Sequence, residues 1–143
     1  MFKWLFGNKG GGTTAGGTAE TVVVSRKFKA TPEKAFAAFV DAFDSWWPRD
    51  KKAWGTVLSI HRPEHIVVAW QIGPKGALES SEATSSRVDI RFVVLDAETT
   101  EVIVVHRDFP RHGDGWQAYR ASMAAKAGWP QIMEAYAKAV NGS

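Results

Sequence analysis

Four histidines and a scatter of acids are the side chains that bear acid–base or metal chemistry in this chain. His61 and His65 lie four residues apart, a metal spacing on a helix, but Pro63 sits between them in a turn. They therefore share no helical face and are not read as ligands. His106-Arg107-Asp108 carries the letters of a kinase catalytic triplet. The glycine-rich loop, the paired lysine and the downstream Asp-Phe-Gly are all missing, so the match is accidental. His106 and His112 remain as candidate proton carriers because imidazole titrates near neutrality, although a histidine closing a strand more often bonds a loop. No Ser-His-Asp order presents itself. Asp41, Asp44 and Asp50 flank the Trp46-Trp47 pair, where helix ends commonly carry acids. With no cysteine in the chain, thiolate nucleophiles, thiolate metal sites and disulfides are excluded. The balance is against catalysis, and no cofactor or metal is expected.

The aromatic residues carry more. Seven tryptophans stand in 143 residues, and they are costly to expose. Trp46-Trp47-Pro48, Trp54-Gly55-Thr56-Val57, Trp70 and Gly128-Trp129 fall at the ends of strands and helices, as in the lining of a hydrophobic cavity. Aromatic stripes fill cores more often than they form ligand sites, and both readings stand.

These side chains must be positioned by a single domain, since the length suffices for one core. The net charge is +3, with Arg26, Lys27 and Lys29 on one segment and Arg49, Lys51 and Lys52 on another. No stripe suited to nucleic acid results, so the charge is read as solubility. Absence of cysteine fits a reducing cytoplasm. Residues 1–19 read as an aromatic head, Met1 to Gly7, followed by a flexible Gly-rich linker, Gly10 to Thr18. Phe2, Trp4, Leu5 and Phe6 with Lys3 and Lys9 have the composition of a membrane-surface anchor, but the run is short and a disordered tail is expected instead.

Residues 20–140 form the domain. Val22, Val24 and Phe28 alternate with polar residues over Thr21–Lys29, predicting a half-buried strand. Thr31-Pro32-Glu33 has the chemistry of a helix start. Phe36, Phe39, Val40 and Phe43 then share one face up to Pro48. Thr56–His61 and His65–Ile72 read as strands around the turn Arg62-Pro63-Glu64, and Arg87–Leu95 and Thr100–His106 as a second hairpin around Asp96–Thr99. Gly73–Ser86 reads as a long exposed connection. The last element is helical from about Asp114 to Val140, bent or broken at Gly128-Trp129-Pro130 because Pro130 removes a donor. The order predicts an α+β domain in which a curved antiparallel sheet wraps a long helix.

From about Val23 to Val140 the chain resembles stand-alone bacterial domains similar to the C-terminal domain of the activator of Hsp90 ATPase, within the START-like (SRPBCC) superfamily. The matching pieces are Thr31 to Phe36, Trp46-Trp47-Pro48, Gly55-Thr56-Val57, Arg62-Pro63-Glu64, Ile66–Trp70, Ser86–Phe92, His106 and Gly128-Trp129. The resemblance implies the helix-grip fold, with a cavity between sheet and C-terminal helix. It implies cavity-facing positions at Trp47, Trp54, Trp70, Phe92, Tyr119, Trp129 and Met133, with His106 as a polar contact. It points first to an apolar or aromatic small molecule or a lipid as ligand. Second comes a protein partner or a homodimer, and third a cyclase-like activity with His106 or His112 as proton carrier. Relatives place a further strand pair before Gly55, where only five residues, Arg49–Ala53, stand here. Five residues reach about 18 Å and cannot make a useful hairpin. The expectation is a sheet reduced by two strands, or partly completed by the N-terminal segment, with an exposed edge that invites pairing.

Overall fold

The computed structural model describes residues 12–47, 55–73 and 84–142. Six strands among these residues form one antiparallel sheet: β1 (Thr14–Gly16), β2 (Val22–Phe28), β3 (Gly55–His61), β4 (His65–Trp70), β5 (Ser86–Asp96) and β6 (Thr99–Arg107). Their order across the sheet is β1-β2-β6-β5-β4-β3. Among the described residues four helices pack on one face: α1 (Pro32–Val40), α2 (Phe43–Trp46), α3 (Trp116–Ala124) and α4 (Trp129–Gly142). A 3-10 turn, Phe109–His112, joins β6 to α3. This is the α+β helix-grip architecture. Among the described residues no helix is long and apolar enough to cross a membrane.

Alternation decides which side chains face the helices. Ile66, Val68 and Trp70 on β4 point inward and are buried, as do Val88, Ile90 and Phe92 on β5 and Val102, Val104 and His106 on β6. Continuing the same parity places Ser86 and Thr100 inward too, and both are fully buried. Thr100 is satisfied by donating to the Ala30 carbonyl at 2.8 Å.

Two expectations are modified, the length of the first helix and the linker reading of residues 14–16. The first helix stops at Val40, and Asp41-Ala42 turns the chain before α2. This brings Phe43 onto the Trp47 ring, stacked with centroids 4.9 Å apart. The C-terminal helix is two helices, broken where the proline predicted. Gly128 closes the joint: a Cβ there would lie 2.3 Å from the Met123 carbonyl oxygen, so only glycine fits. Thr14–Gly16, inside the stretch read as linker, pairs with β2. It extends the sheet at the edge opposite β3, so the edge beside the short connection is not closed by it. Trp54 and the Arg49–Ala53 connection lie outside the described residues, as does the aromatic head.

Candidate functional site

The expected site residues separate into two groups. Trp47, Trp70, His106, Tyr119 and Trp129 come together at the end of the core where β4 finishes and β5 starts. The Trp70 ring lies 5.9 Å from Trp47, 5.2 Å from Trp129 and 5.3 Å from His106. Phe92 is at the other end, 5.1 Å from Phe36 and 6.1 Å from Phe39. Met133 is buried in the core under α4. Trp54 lies outside the described residues.

At the first end the polar atoms of the rings form two hydrogen-bonded chains. Trp70 donates its indole N–H to the Tyr119 hydroxyl at 2.8 Å, and Tyr119 donates onward to the Ile72 carbonyl. Trp129 donates to His106 Nδ1 at 2.9 Å. His106 Nε2 is 2.6 Å from Ser86 Oγ, which is 2.8 Å from His112 Nε2. Phe109, beneath, stacks on the His106 ring at 4.1 Å.

The indole fixes the direction of this chain. A tryptophan N–H only donates, so His106 Nδ1 must accept, and a neutral imidazole then carries its proton on Nε2. Nε2–H donates to Ser86 Oγ, whose own O–H is left for His112 Nε2. Burial, and then the proximity of His112, hold the His106 pKa well below 6.5. The ring is therefore neutral, as the assignment requires.

The chemical consequence is restrictive. His106 has its acceptor nitrogen occupied and no exposed surface, so it cannot take a proton from Ser86 or deliver one to a bound molecule directly. It bonds a neighbouring strand and α4, where a loop contact was expected. His112, half-buried at the end of the 3-10 turn, is the outermost member of the relay. His61 and His65 face each other as cross-strand partners at the β3–β4 turn, and His65 Nε2 lies 3.1 Å from Asp89. Among the described residues no three His, Cys, Asp or Glu side chains are grouped to hold a metal ion.

Sequence reading did not single out Ser86 or Phe109. The parity of β5 is the signal that finds Ser86, a polar residue at an inward position. Phe109 follows Asp108, which takes the left-handed backbone conformation at φ 64°, and no pattern in the sequence announces that turn.

The profile of the family described as activator of Hsp90 ATPase homolog 1-like protein matches residues 47–141, more than half of the chain. The chain belongs to this family. Like other folds built on this plan, the family member described here superposes on solved structures of low sequence identity, which establishes shared architecture. CalC, a self-sacrificing resistance protein from Micromonospora echinospora, is 20% identical with a TM-score of 0.62, over 87% of this chain and 96% of that one. An Hsp90 activator from Plasmodium falciparum is 21% identical with a TM-score of 0.58, over 86% and 96%. The anthrahydroquino-gamma-pyrone synthase Txn09 is 19% identical with a TM-score of 0.55, over 86% and 99%. No curated protein matches the chain.

Proposed function

We propose that this family member binds an apolar or aromatic small molecule, without transforming it, at the end of the core built by Trp47, Trp70, Tyr119, Trp129 and His112. The observation that carries this reading is the convergence there of large apolar walls and a few directed polar groups, the usual make-up of a small-molecule site. The rings touch one another, so a ligand must displace a wall. Helix α3 is the movable candidate, because only Tyr119 and Met123 of its nine residues are buried. It is entered through Gly113 and Gly115, both at positive φ. A flat ring that lifts Tyr119 takes over stacking on Trp70 and Trp47 and offers new partners to the Trp70 indole and to His112. Two neighbours in fold, a resistance protein and a synthase named for a fused-ring product, are compatible with such a ligand.

Isothermal titration with a three-ring aromatic quinone tests the reading. Saturable one-to-one binding that weakens at least tenfold in Trp47→Ala and Tyr119→Ala is expected. Affinity unchanged in both variants excludes the site.

One observation favours a second reading, a protein-interaction module. Val57 and Ile60 on β3 lie opposite the buried Val68 and Ile66, yet each is 48% exposed. Edge strands with apolar side chains pair readily with another chain. A dimer by light scattering that Ile60→Lys dissociates is the outcome this reading requires.

A further inference from the structure

The hydrogen bonds that end at His112 have a direction, and the direction starts at Trp129. The Trp129 indole N–H, at the start of α4, donates to His106 Nδ1 at 2.9 Å. The proton of the neutral His106 ring is then on Nε2, 2.6 Å from Ser86 Oγ. Ser86 accepts there and gives its own proton to His112 Nε2 at 2.8 Å. The next step follows from the imidazole itself: a neutral ring whose Nε2 accepts carries its proton on Nδ1. We propose that Trp129 is a positioning residue for His112. Through His106 and Ser86 it places the His112 proton on Nδ1, so that the site meets its ligand there with an N–H donor. The ligand selected is a ring system bearing acceptor oxygens, carbonyls above all. The ligand half of this inference rests on the small-molecule reading, whereas the proton half rests on the bonds alone.

The role of the indole shows when it is taken away on paper. Without the Trp129 N–H the opposite order is equally allowed, from His112 Nε2–H to Ser86 and from Ser86 to His106 Nε2, with the His106 proton on Nδ1. The indole removes that alternative. His106 is wholly buried between the stacked Phe109 ring at 4.1 Å and the Trp70 ring at 5.3 Å, so it holds its orientation. The His112 ring stands edge-on to Tyr119, centroids 5.1 Å apart and planes at 87°. A ligand that lifts Tyr119 therefore enters beside it. His112 Nδ1 is shielded from solvent, where a hydrogen bond to a ligand meets little competition from water. The second polar group that such a ligand meets is the Trp70 indole, released from the Tyr119 hydroxyl, and it too only donates. A ring with acceptor oxygens is matched at both places, and a bare hydrocarbon at neither.

Two-bond nitrogen–proton correlation spectra of the imidazoles read the tautomers directly, at about pH 8 where an ordinary histidine is neutral. His112→Gln assigns the His112 signals. The wild type should show His106 on Nε2 and His112 on Nδ1, the form that an unconstrained histidine disfavours. Trp129→Phe should bring up the Nε2–H form of His112. Ser86→Ala, which keeps the indole and cuts the relay, should do the same. A merely structural role for Trp129 does not move a proton two groups away. His112 on Nε2 in the wild type overturns the proposal, and so does His112 held on Nδ1 in both variants. Selection is read from the affinities for a three-ring aromatic quinone and its parent hydrocarbon. The quinone should bind the wild type at least about tenfold tighter, through the two added hydrogen bonds. Ser86→Ala should cut that ratio about threefold or more, the share of one bond. An unchanged ratio overturns the selection. Binding of neither molecule, with His112 still on Nδ1, overturns the selection together with the small-molecule site and upholds the role of Trp129.

Discussion

The two ends of the core are built from the same residue class and do opposite things with it. Around Phe39 the rings pack closed on one another: Phe39 meets Trp46 at 5.1 Å, Tyr136 at 5.1 Å and Phe92 at 6.1 Å. The two polar atoms there are tied to carbonyls, Trp46 to Ala38 at 2.9 Å and Tyr136 to Ala35. Around Trp70 polar atoms bond each other through side chains from β5, β6, the 3-10 turn, α3 and α4. A ring bonded to a carbonyl of a fixed helix holds one place. A ring bonded to another side chain can exchange that partner for a ligand. The first end stabilises the fold, and the second is where the proposed site is placed.

The comparison breaks most visibly under truncation. Phe39→Ala removes the ring contacts with Trp46, Tyr136 and Phe92 at the closed end and is expected to cost about 3–5 kcal/mol in denaturant unfolding. A loss under about 1 kcal/mol denies that this end is the load of the core. Ser86→Ala removes the acceptor of the His106 N–H and the hydroxyl bonded to His112. The expected loss is about 1–3 kcal/mol for the fully buried His106 N–H left without its partner, large for deletion of one oxygen.

Acid separates the ends in a third way. Unfolding lets His106 regain its ordinary pKa of 6.5, whereas burial keeps the folded value well below it. The unfolded chain therefore takes up the proton first as the pH falls. Stability from this group is complete above 6.5 and declines toward the folded pKa, with a slope approaching about 1.4 kcal/mol per pH unit. His106→Phe should flatten the profile by that amount between neutrality and the folded pKa. An identical slope in the variant means that the ring is not neutral in the folded state. Smaller effects complete the series. Tyr119→Phe removes the link between Trp70 and Ile72 at about 1 kcal/mol, while weakening ligand binding more than stability. Ile60→Lys, on the exposed edge, should leave monomer stability within about 0.5 kcal/mol.

The closed end was legible in the sequence because hydrophobic period is the strongest local signal. Phe36 and Phe39 fall at helical spacing, and Val22, Val24 and Phe28 at strand spacing, so their burial followed from pattern alone. The resemblance carried the fold and the family. The polar end is half legible: the sequence points to Trp47, Trp70, His106, Tyr119 and Trp129, but the same grouping takes in Phe92, which lies at the closed end. Only the strand register places it there, at the level of Val102 on β6, whereas Ser86 lies beside Trp70 at the other end. Ser86 escaped because a serine at a strand start looks like loop, and its inward parity matters only once β5 is known to begin there. The break after Val40 also escaped, since Phe43 continues the helical spacing while the chain turns.

The central claim, that the Trp70 end opens to a small molecule, is tested most directly by native mass spectrometry of the purified protein, alone and with a three-ring aromatic quinone. One bound molecule per chain, retained by the native protein and by Ile60→Lys and lost in Tyr119→Ala, is the predicted result. No adduct under either condition, or an adduct undiminished in Tyr119→Ala, contradicts it and leaves the polar end as a second piece of closed core.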